Sequence, residues 1–249
     1  GILIRDGVKM IFNPYDYPAL EAALQLKEAS QGEVIALTMG PPLAEEVLRE
    51  AVSLGADDGI LLSDPAFAGA DTLATAYTLA RGIETLGDVD LILCGSQSVD
   101  GETGHVGAQI ATWLGLVHVE EGAGLALTEG VVQVWHRTGY GRELLAVEPP
   151  LVVSLAKDAY EPRLPSLRNK MRAKKHPFRH WGKDDISADP ECIGVAGSPT
   201  KIHRTFVPPG GVKGQIFSGS AAEQVAQLWD QLERTGVLAA CRRGGGQHG

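Results

Sequence analysis

The sequence predicts an α/β fold with a mainly parallel sheet, flanking helices and a β-hairpin, and three observations carry this prediction. Short apolar runs alternate with stretches of helical spacing through the first half of the chain. Each run is continuous, which is typical of strands covered on both faces. Further along, the hydrophobic period changes to two, as in an antiparallel hairpin. The chain has 249 residues and is 44% hydrophobic, so it can bury a sizeable core.

The elements are predicted in order from residue 13. Asn13-Pro14-Tyr15-Asp16 is a helix entry, in which Asn13 or Asp16 either caps the helix or contacts a ligand. Helices are predicted after this entry, up to Gly32, and at 43–54, 72–86 and 106–116. Strands are predicted at 33–39, 59–63, 90–94 and 151–155, with the hairpin at 131–137 and 144–147.

The C-terminal part of the chain predicts an extended arm. Residues 184–219 are rich in Gly, Pro and Ser, and an amphipathic helix at 221–238 follows them. Such an arm has too little apolar content to fold alone. We therefore expect it to lie on another subunit, with a disordered glycine-rich end from Gly244.

Composition excludes several classes of function. The net charge is −9, but the segment from Lys157 to Lys183 contains nine Lys/Arg and only two carboxylates. This distribution favours one localised acidic partner over nucleic acid. The three cysteines form no pair with metal or disulfide spacing, and the seven histidines predict no metal site. No apolar run is long enough to cross a bilayer, so we expect a cytoplasmic protein without a transmembrane segment.

The segment 90–109 is the strongest candidate for a binding site. It is predicted as strand, polar glycine-bearing loop and helix, an arrangement that directs free backbone N–H groups and the positive helix end at an anion such as phosphate. Thr103 offers a hydroxyl at the helix entry, and the two glycines allow close backbone approach. The alternative is that Thr103 only caps the helix and the glycines only form the turn. No catalytic dyad or triad is predicted.

Five segments of the chain, in the same order, resemble the beta subunit of electron transfer flavoprotein, and the resemblance covers nearly the whole sequence. The segments are NPYDYPALEAALQLKE, TMGPPLAEEVLREAVSLGADDGILLSD, AFAGADTLATA, DLILCGSQSVDGETGHVGAQIA and EPRLPSLRNKMRAKK.

The resemblance implies a Rossmann-like, adenine-nucleotide-binding domain at 1–183, which lacks the family's first strand and includes a recognition loop at 160–175. It implies a C-terminal arm and helix at 184–249 that pack on a flavin-carrying alpha subunit, forming a heterodimer. The nucleotide is AMP in the common members. In electron-bifurcating members it is FAD, which is reduced by NADH. Further implied partners are an acyl-CoA or other flavin dehydrogenase, ferredoxin or flavodoxin, and a quinone reductase.

The family's functional residues are carried over onto matching positions. The implied nucleotide contacts are Asn13, Pro14, Tyr15, Asp16, Met39, Gly95, Ser96, Gln97, Ser98, Val99, Asp100, Gly101, Glu102, Thr103, Gly104, Ser198 and Thr200. The implied docking residues for the dehydrogenase are Leu167 as the anchor, with Pro165, Arg168, Met171 and Lys174.

Two stretches favour the bifurcating branch. DGETGHVGAQ at 100–109 and AGSPT at 196–200 are similar to segments typical of that branch. Ser96 stands where many relatives have Arg or Lys, and His105 and Ala108 replace the usual Gln and Pro. Two alternatives stay open: a non-bifurcating beta subunit with structural AMP, and a non-redox nucleotide-binding regulatory module of the universal-stress type.

Overall fold

The computed structural model describes residues 10–201, 203, 206 and 214–238. The chain divides into two compact units, with the boundary after residue 203. The strands are β1 (Ile35–Met39), β2 (Asp58–Leu62), β3 (Leu91–Gly95), β4 (Val117–Thr128), β5 (Val131–Thr138), β6 (Gly141–Val147), β7 (Leu151–Leu155) and β8 (Arg179–Trp181). The α-helices are α1 (Tyr17–Ser30), α2 (Glu45–Leu54), α3 (Thr72–Leu86), α4 (Val106–Leu114), α5 (Leu167–Lys175) and α6 (Ala221–Arg234).

The predicted α/β fold is confirmed, and its strands lie in two sheets. One sheet has the order β1-β2-β8 and is parallel throughout, and the other has the order β3-β7-β4-β5-β6. No pairing among the described residues joins β1 to β3, so the strand-helix alternation predicted as one sheet is divided there. Each of these two edge strands is half-buried along its length, whereas β7 is buried at every residue.

The predicted hairpin is confirmed, and it is part of a longer meander. β5 and β6 pair antiparallel, with Thr138 opposite Gly141 across the turn. β4 was not predicted from the sequence, although it pairs parallel to β7 and antiparallel to β5. Its register shifts near Gly122, where a Cβ would lie 2.9 Å from the Val153 side chain. Because this residue is a glycine, β4 can lie close beside β7 at the register shift.

The segment after residue 183 differs from the expected arm. Ile186 is fully buried and Ile193 is 3% exposed, and both pack in the apolar cluster around Ile60, Leu62 and Phe67. The boundary between the two units therefore follows residue 203 and not residue 183. Apolar packing, together with hydrogen bonds such as that from the Asp189 N–H to the Tyr77 hydroxyl, holds this irregular segment on the α/β unit.

The second unit contains the predicted amphipathic helix as α6. Ser220 caps it, and Glu223 completes a capping box by accepting hydrogen bonds from the Ser220 backbone and side chain. Its apolar side chains are exposed, including Val225, Leu228 and Trp229. Residues 207–213 and 239–249 of the expected arm, including the glycine-rich end, lie outside the described residues. In the described part of the chain, no helix is long and apolar enough to span a membrane.

Candidate functional site

The turn at residues 13–16, here called the NPYD turn, is fastened to the end of β3 by its own side chains. The Asn13 amide donates to Asp16 Oδ2 at 3.0 Å and to the Gln97 carbonyl at 2.8 Å. The Gly95 N–H donates to Asp16 Oδ1 at 2.8 Å. Neither side chain caps α1. Sequence reasoning left open whether they cap the helix or lie in the crevice, and both lie at the carboxyl end of β3.

Residue 95 has to be a glycine because the NPYD turn packs directly against its backbone. A Cβ at this position would lie 2.3 Å from the Tyr15 carbonyl oxygen, a backbone atom that cannot move without displacing the turn. Burial raises the pKa of Asp16 above its usual value, and the hydrogen bonds from Asn13 and Gly95 oppose that shift. The Asn13 Oδ1 atom is buried and has no hydrogen-bond partner among the described residues. It remains free to accept from a ligand.

The crevice loop, residues 96–105, joins β3 to α4 and is exposed from Ser98 onward. Glu102 and Gly104 both have positive φ, which folds the loop back before the helix. The helix begins at Val106, and its N-cap residue His105 makes no side-chain cap. Thr103 thus precedes the N-cap instead of entering the helix. The first N–H groups of α4 carry the positive end of the helix dipole, and no side chain of a described residue caps them.

The first turn of α4 packs tightly on three polar side chains, of which one is buried and two are half-buried. Ser154 Oγ lies 3.3 Å from Cys94 Sγ and 2.9 Å from His118 Nε2, on the adjacent strands β3, β7 and β4. A Cβ at Gly107 would lie 2.4 Å from Ser154 Oγ. Burial raises the pKa of the Cys94 thiol to about 11 and lowers the pKa of His118. Both side chains are therefore neutral near pH 7, and they support α4 without offering a reactive thiolate.

One cation at this end of the sheet was not singled out from the sequence. Lys157 follows β7, and its ammonium lies 5.1 Å from the centroid of the Tyr15 ring. The signal that could have found it was available, because residues just past the carboxyl end of a parallel strand line the ligand crevice.

Met39, Ser198 and Thr200 contact other parts of the described chain. Met39 ends β1 and packs with the cluster around Ile60. Ser198 Oγ accepts from the Asp71 N–H at 2.8 Å, and the Thr200 N–H donates to Asp71 Oδ2 at 2.9 Å. Asp71 also caps α3, so Ser198 and Thr200 hold the residue that begins this helix. No hydrogen bond joins them to the crevice loop within the described residues, and their role in nucleotide binding stays a prediction.

The docking segment, residues 160–175, presents apolar side chains to solvent. Leu164 is 90% exposed, Leu167 is 77% exposed and Met171 is 60% exposed. Ser166 caps α5 by accepting from the Asn169 N–H at 3.1 Å. Arg168 and Lys174 are exposed around this apolar surface, while Pro165 is half-buried.

Both ends of the docking segment are held on α1 and α2. Arg163 Nε and Nη2 donate to the two oxygens of Glu21 at 2.8 Å and 3.0 Å, and Glu28 accepts from Nη1. Burial favours the neutral form of Glu21, but the hydrogen bonds and charge of Arg163 outweigh it and hold the Glu21 pKa below its usual value. Arg172 donates to the Ala56 carbonyl past the end of α2. These hydrogen bonds therefore fix the position of the docking segment on the surface of the first unit.

Known proteins are similar in sequence to this chain over most of its length. Residues 1–186 match the family described as electron transfer flavoprotein domain. The caffeyl-CoA reductase-Etf complex subunit CarD of Acetobacterium woodii is 42% identical over 227 residues, which cover 91% of this chain and 87% of that protein. The electron transfer flavoprotein subunit beta of Megasphaera elsdenii is 39% identical over 240 residues, covering 92% and 89%.

A third relative has a role in its name. The acryloyl-CoA reductase electron transfer subunit gamma of Anaerotignum propionicum is 38% identical over 245 residues, which cover 96% of this chain and 92% of that protein. These matches extend through the NPYD turn, the crevice loop and the docking segment, so the chain belongs to the electron transfer flavoprotein family as a subunit of the beta type.

Proposed function

We propose that this chain is the nucleotide-binding beta subunit of a heterodimeric, electron-bifurcating electron transfer flavoprotein, with FAD in the crevice beside α4. The flavin supplies the redox chemistry when it is bound, including acceptance of electrons from NADH. The chain's own residues bind and orient it. The observation that carries the proposal is the N-terminus of α4, which has no side-chain cap. The polar side chains of the preceding loop form no hydrogen bonds with other described residues.

The residues of the crevice fit the adenine nucleotide part of FAD or AMP. The first N–H groups of α4 suit a phosphate, and Gly95 and Gly107 leave no Cβ between the backbone and the elements packed against it. The buried Asn13 Oδ1 has a free acceptor position that suits a ligand N–H or O–H donor. The side chains of Ser98 and Thr103 are free of hydrogen bonds to other described residues and add donors at the rim.

Two surfaces fit protein partners. The exposed apolar side chains of α6 suit a flavin-carrying alpha subunit, which would cover them in the heterodimer. Leu167 suits an apolar pocket on a flavin dehydrogenase, and the basic residues around it suit an acidic rim. The names of two relatives mention caffeyl-CoA and acryloyl-CoA reductases, and they favour a dehydrogenase that acts on a CoA thioester. We expect ferredoxin or flavodoxin and a quinone reductase as acceptors.

Identification of the released cofactors tests this proposal. The chain is produced together with an alpha-type subunit, the purified complex is denatured, and the released compounds are separated and quantified. We expect two FAD molecules per heterodimer. One FAD with one AMP would replace the bifurcating assignment by the ordinary electron carrier. A nucleotide without flavin and without a stable partner would identify a regulatory module, and a complex empty of both compounds would contradict the site itself.

A further inference from the structure

The crevice loop contains no strong cation to neutralise a bound phosphate. Between Gly95 and Gln109 the sequence has two carboxylates, Asp100 and Glu102, and no Lys or Arg. A phosphate placed at the start of α4 would meet the helix dipole, whose contribution is modest, together with the negative field of these carboxylates. A cation from another element would neutralise the charge of such a phosphate and add charge-assisted hydrogen bonds.

Lys157 is placed to supply this charge. β7 pairs parallel to β3 with Leu155 opposite Gly95, so Lys157 extends past the same sheet edge from which the crevice loop starts. Its ammonium lies 5.1 Å from the centroid of the Tyr15 ring. The Tyr15 carbonyl is in turn the group that Gly95 approaches most closely. Lys157 is thus connected through Tyr15 to the point where β3 enters the loop.

The charge of Lys157 is not used by a neighbouring carboxylate. The adjacent Asp158 accepts from Arg137 at 2.8 Å, and that contact with Arg137 holds the pKa of Asp158 below its usual value. Lys157 is exposed and forms no ion pair with any residue that the structure describes. A surface lysine held by a cation–π contact and free of carboxylates keeps three N–H donors for a ligand.

From these observations we infer that Lys157 binds the phosphate group of the adenine nucleotide in the crevice, while the Tyr15 ring holds its side chain over the loop. This inference rests on the proposed nucleotide site and names a contact within it. The phosphate of AMP and the diphosphate of FAD present the same chemistry to an ammonium group, so either ligand would use it.

Comparison of AMP with adenosine tests this role, because the two ligands differ only in the phosphate. The full chain and its Lys157→Ala variant are titrated with each ligand and with FAD by calorimetry. Loss of one charge-assisted hydrogen bond lowers affinity by roughly 10- to 100-fold. We expect this loss for AMP and FAD, with adenosine affinity unchanged. Lys157→Arg keeps the charge and should retain most of the AMP affinity.

The control is Lys170→Ala, which removes an exposed lysine from α5 and should bind AMP like the wild type. Unchanged AMP affinity in Lys157→Ala would overturn the inference and leave the nucleotide site intact. Equal losses for AMP and adenosine would also overturn it, since they would indicate a structural role. A wild-type chain that binds none of the three ligands would overturn the proposed nucleotide site and, with it, the role of Lys157.

Discussion

Two helices of equal length show how this chain separates ligand binding from partner binding. α4 and α5 have nine residues each, and both follow a polar segment. α4 buries Gly107, Ile110 and Ala111 and has no side-chain cap. α5 is capped by Ser166 and buries Ala173 alone.

The two helices differ in the part that is free to interact with another molecule. In α4 the side chains are used for packing and the backbone N–H groups of the first turn remain available, which suits a small anion. In α5 the backbone is closed by its cap and the side chains point outward, which suits a protein surface. Substitutions that change one helix should therefore leave the function of the other unchanged.

The largest effect is expected for Gly95→Ala, which should abolish nucleotide binding. The added methyl would lie 2.3 Å from the Tyr15 carbonyl, so the NPYD turn has to move. We expect about 3 kcal/mol of destabilisation, at the upper end of the usual cost of overpacking, together with loss of bound nucleotide from the purified protein. Gly139→Ala is the control, because no atom lies within 4 Å of the added methyl there. A normal nucleotide content in Gly95→Ala would contradict the assignment of the nucleotide site to this crevice.

The next effect is expected for Leu167→Ala, which should weaken binding of the dehydrogenase by about 2 kcal/mol, or roughly 30-fold. The rate of electron transfer to that partner should fall at limiting concentration, and cofactor content should stay unchanged. Leu144→Ala removes another exposed leucine, which lies on β6, and serves as the control. Loss of cofactor together with electron transfer would contradict a docking role.

A smaller effect is expected for Glu21→Gln, and it should depend on pH. The Glu21 pKa is lowered in the folded chain from the ordinary value of 4.5, so the ion pair stabilises the fold above that value and is lost as the pH falls below it. Urea unfolding at pH 7 should show a loss of about 1.5 kcal/mol, in the range of a hydrogen bond to a charged group. The difference from the wild type should shrink toward pH 4. A difference independent of pH would contradict the assigned ionisation.

The smallest effect is expected at the helix entrances themselves. Ser166→Ala removes the cap of α5 and should destabilise this helix by about 1 kcal/mol, detected as faster hydrogen exchange of the α5 amides. His105→Ala should leave exchange in α4 unchanged, because His105 provides no side-chain cap. Equal changes at both helices would remove the distinction between them.

Local patterns predicted much of the fold. The apolar spacing predicted α3 at Thr72–Leu86 with both ends correct, and the Val106 start of α4 was also predicted. β4 was missed because its strand character depends on pairing with β7 and β5 around a register shift, and long-range pairing leaves little local signal. The division between β1 and β3 likewise depends on pairing and not on composition.

The sequence predicted the residues of the candidate site, but it did not predict the contacts that hold them in place. The loop from Gly95 to Gly104 was predicted from its glycines and its position between strand and helix. The hydrogen bonds of Asp16 to Gly95 and of Ser198 to Asp71 join residues far apart in the chain, so no local pattern could predict them. The burial of Ile193 was missed for the same reason, because the side chains that cover it are far away in the chain.

Hydrogen–deuterium exchange on the heterodimer tests the separation of the two helices most directly. Amide protection is measured by mass spectrometry before and after addition of AMP or FAD to cofactor-depleted complex, and separately after addition of the dehydrogenase. We expect the nucleotide to protect residues 95–108 and to leave 160–175 unchanged, and the dehydrogenase to protect 160–175 and to leave 95–108 unchanged. Nucleotide protection confined to 160–175, or no protection at the start of α4, would contradict this expectation.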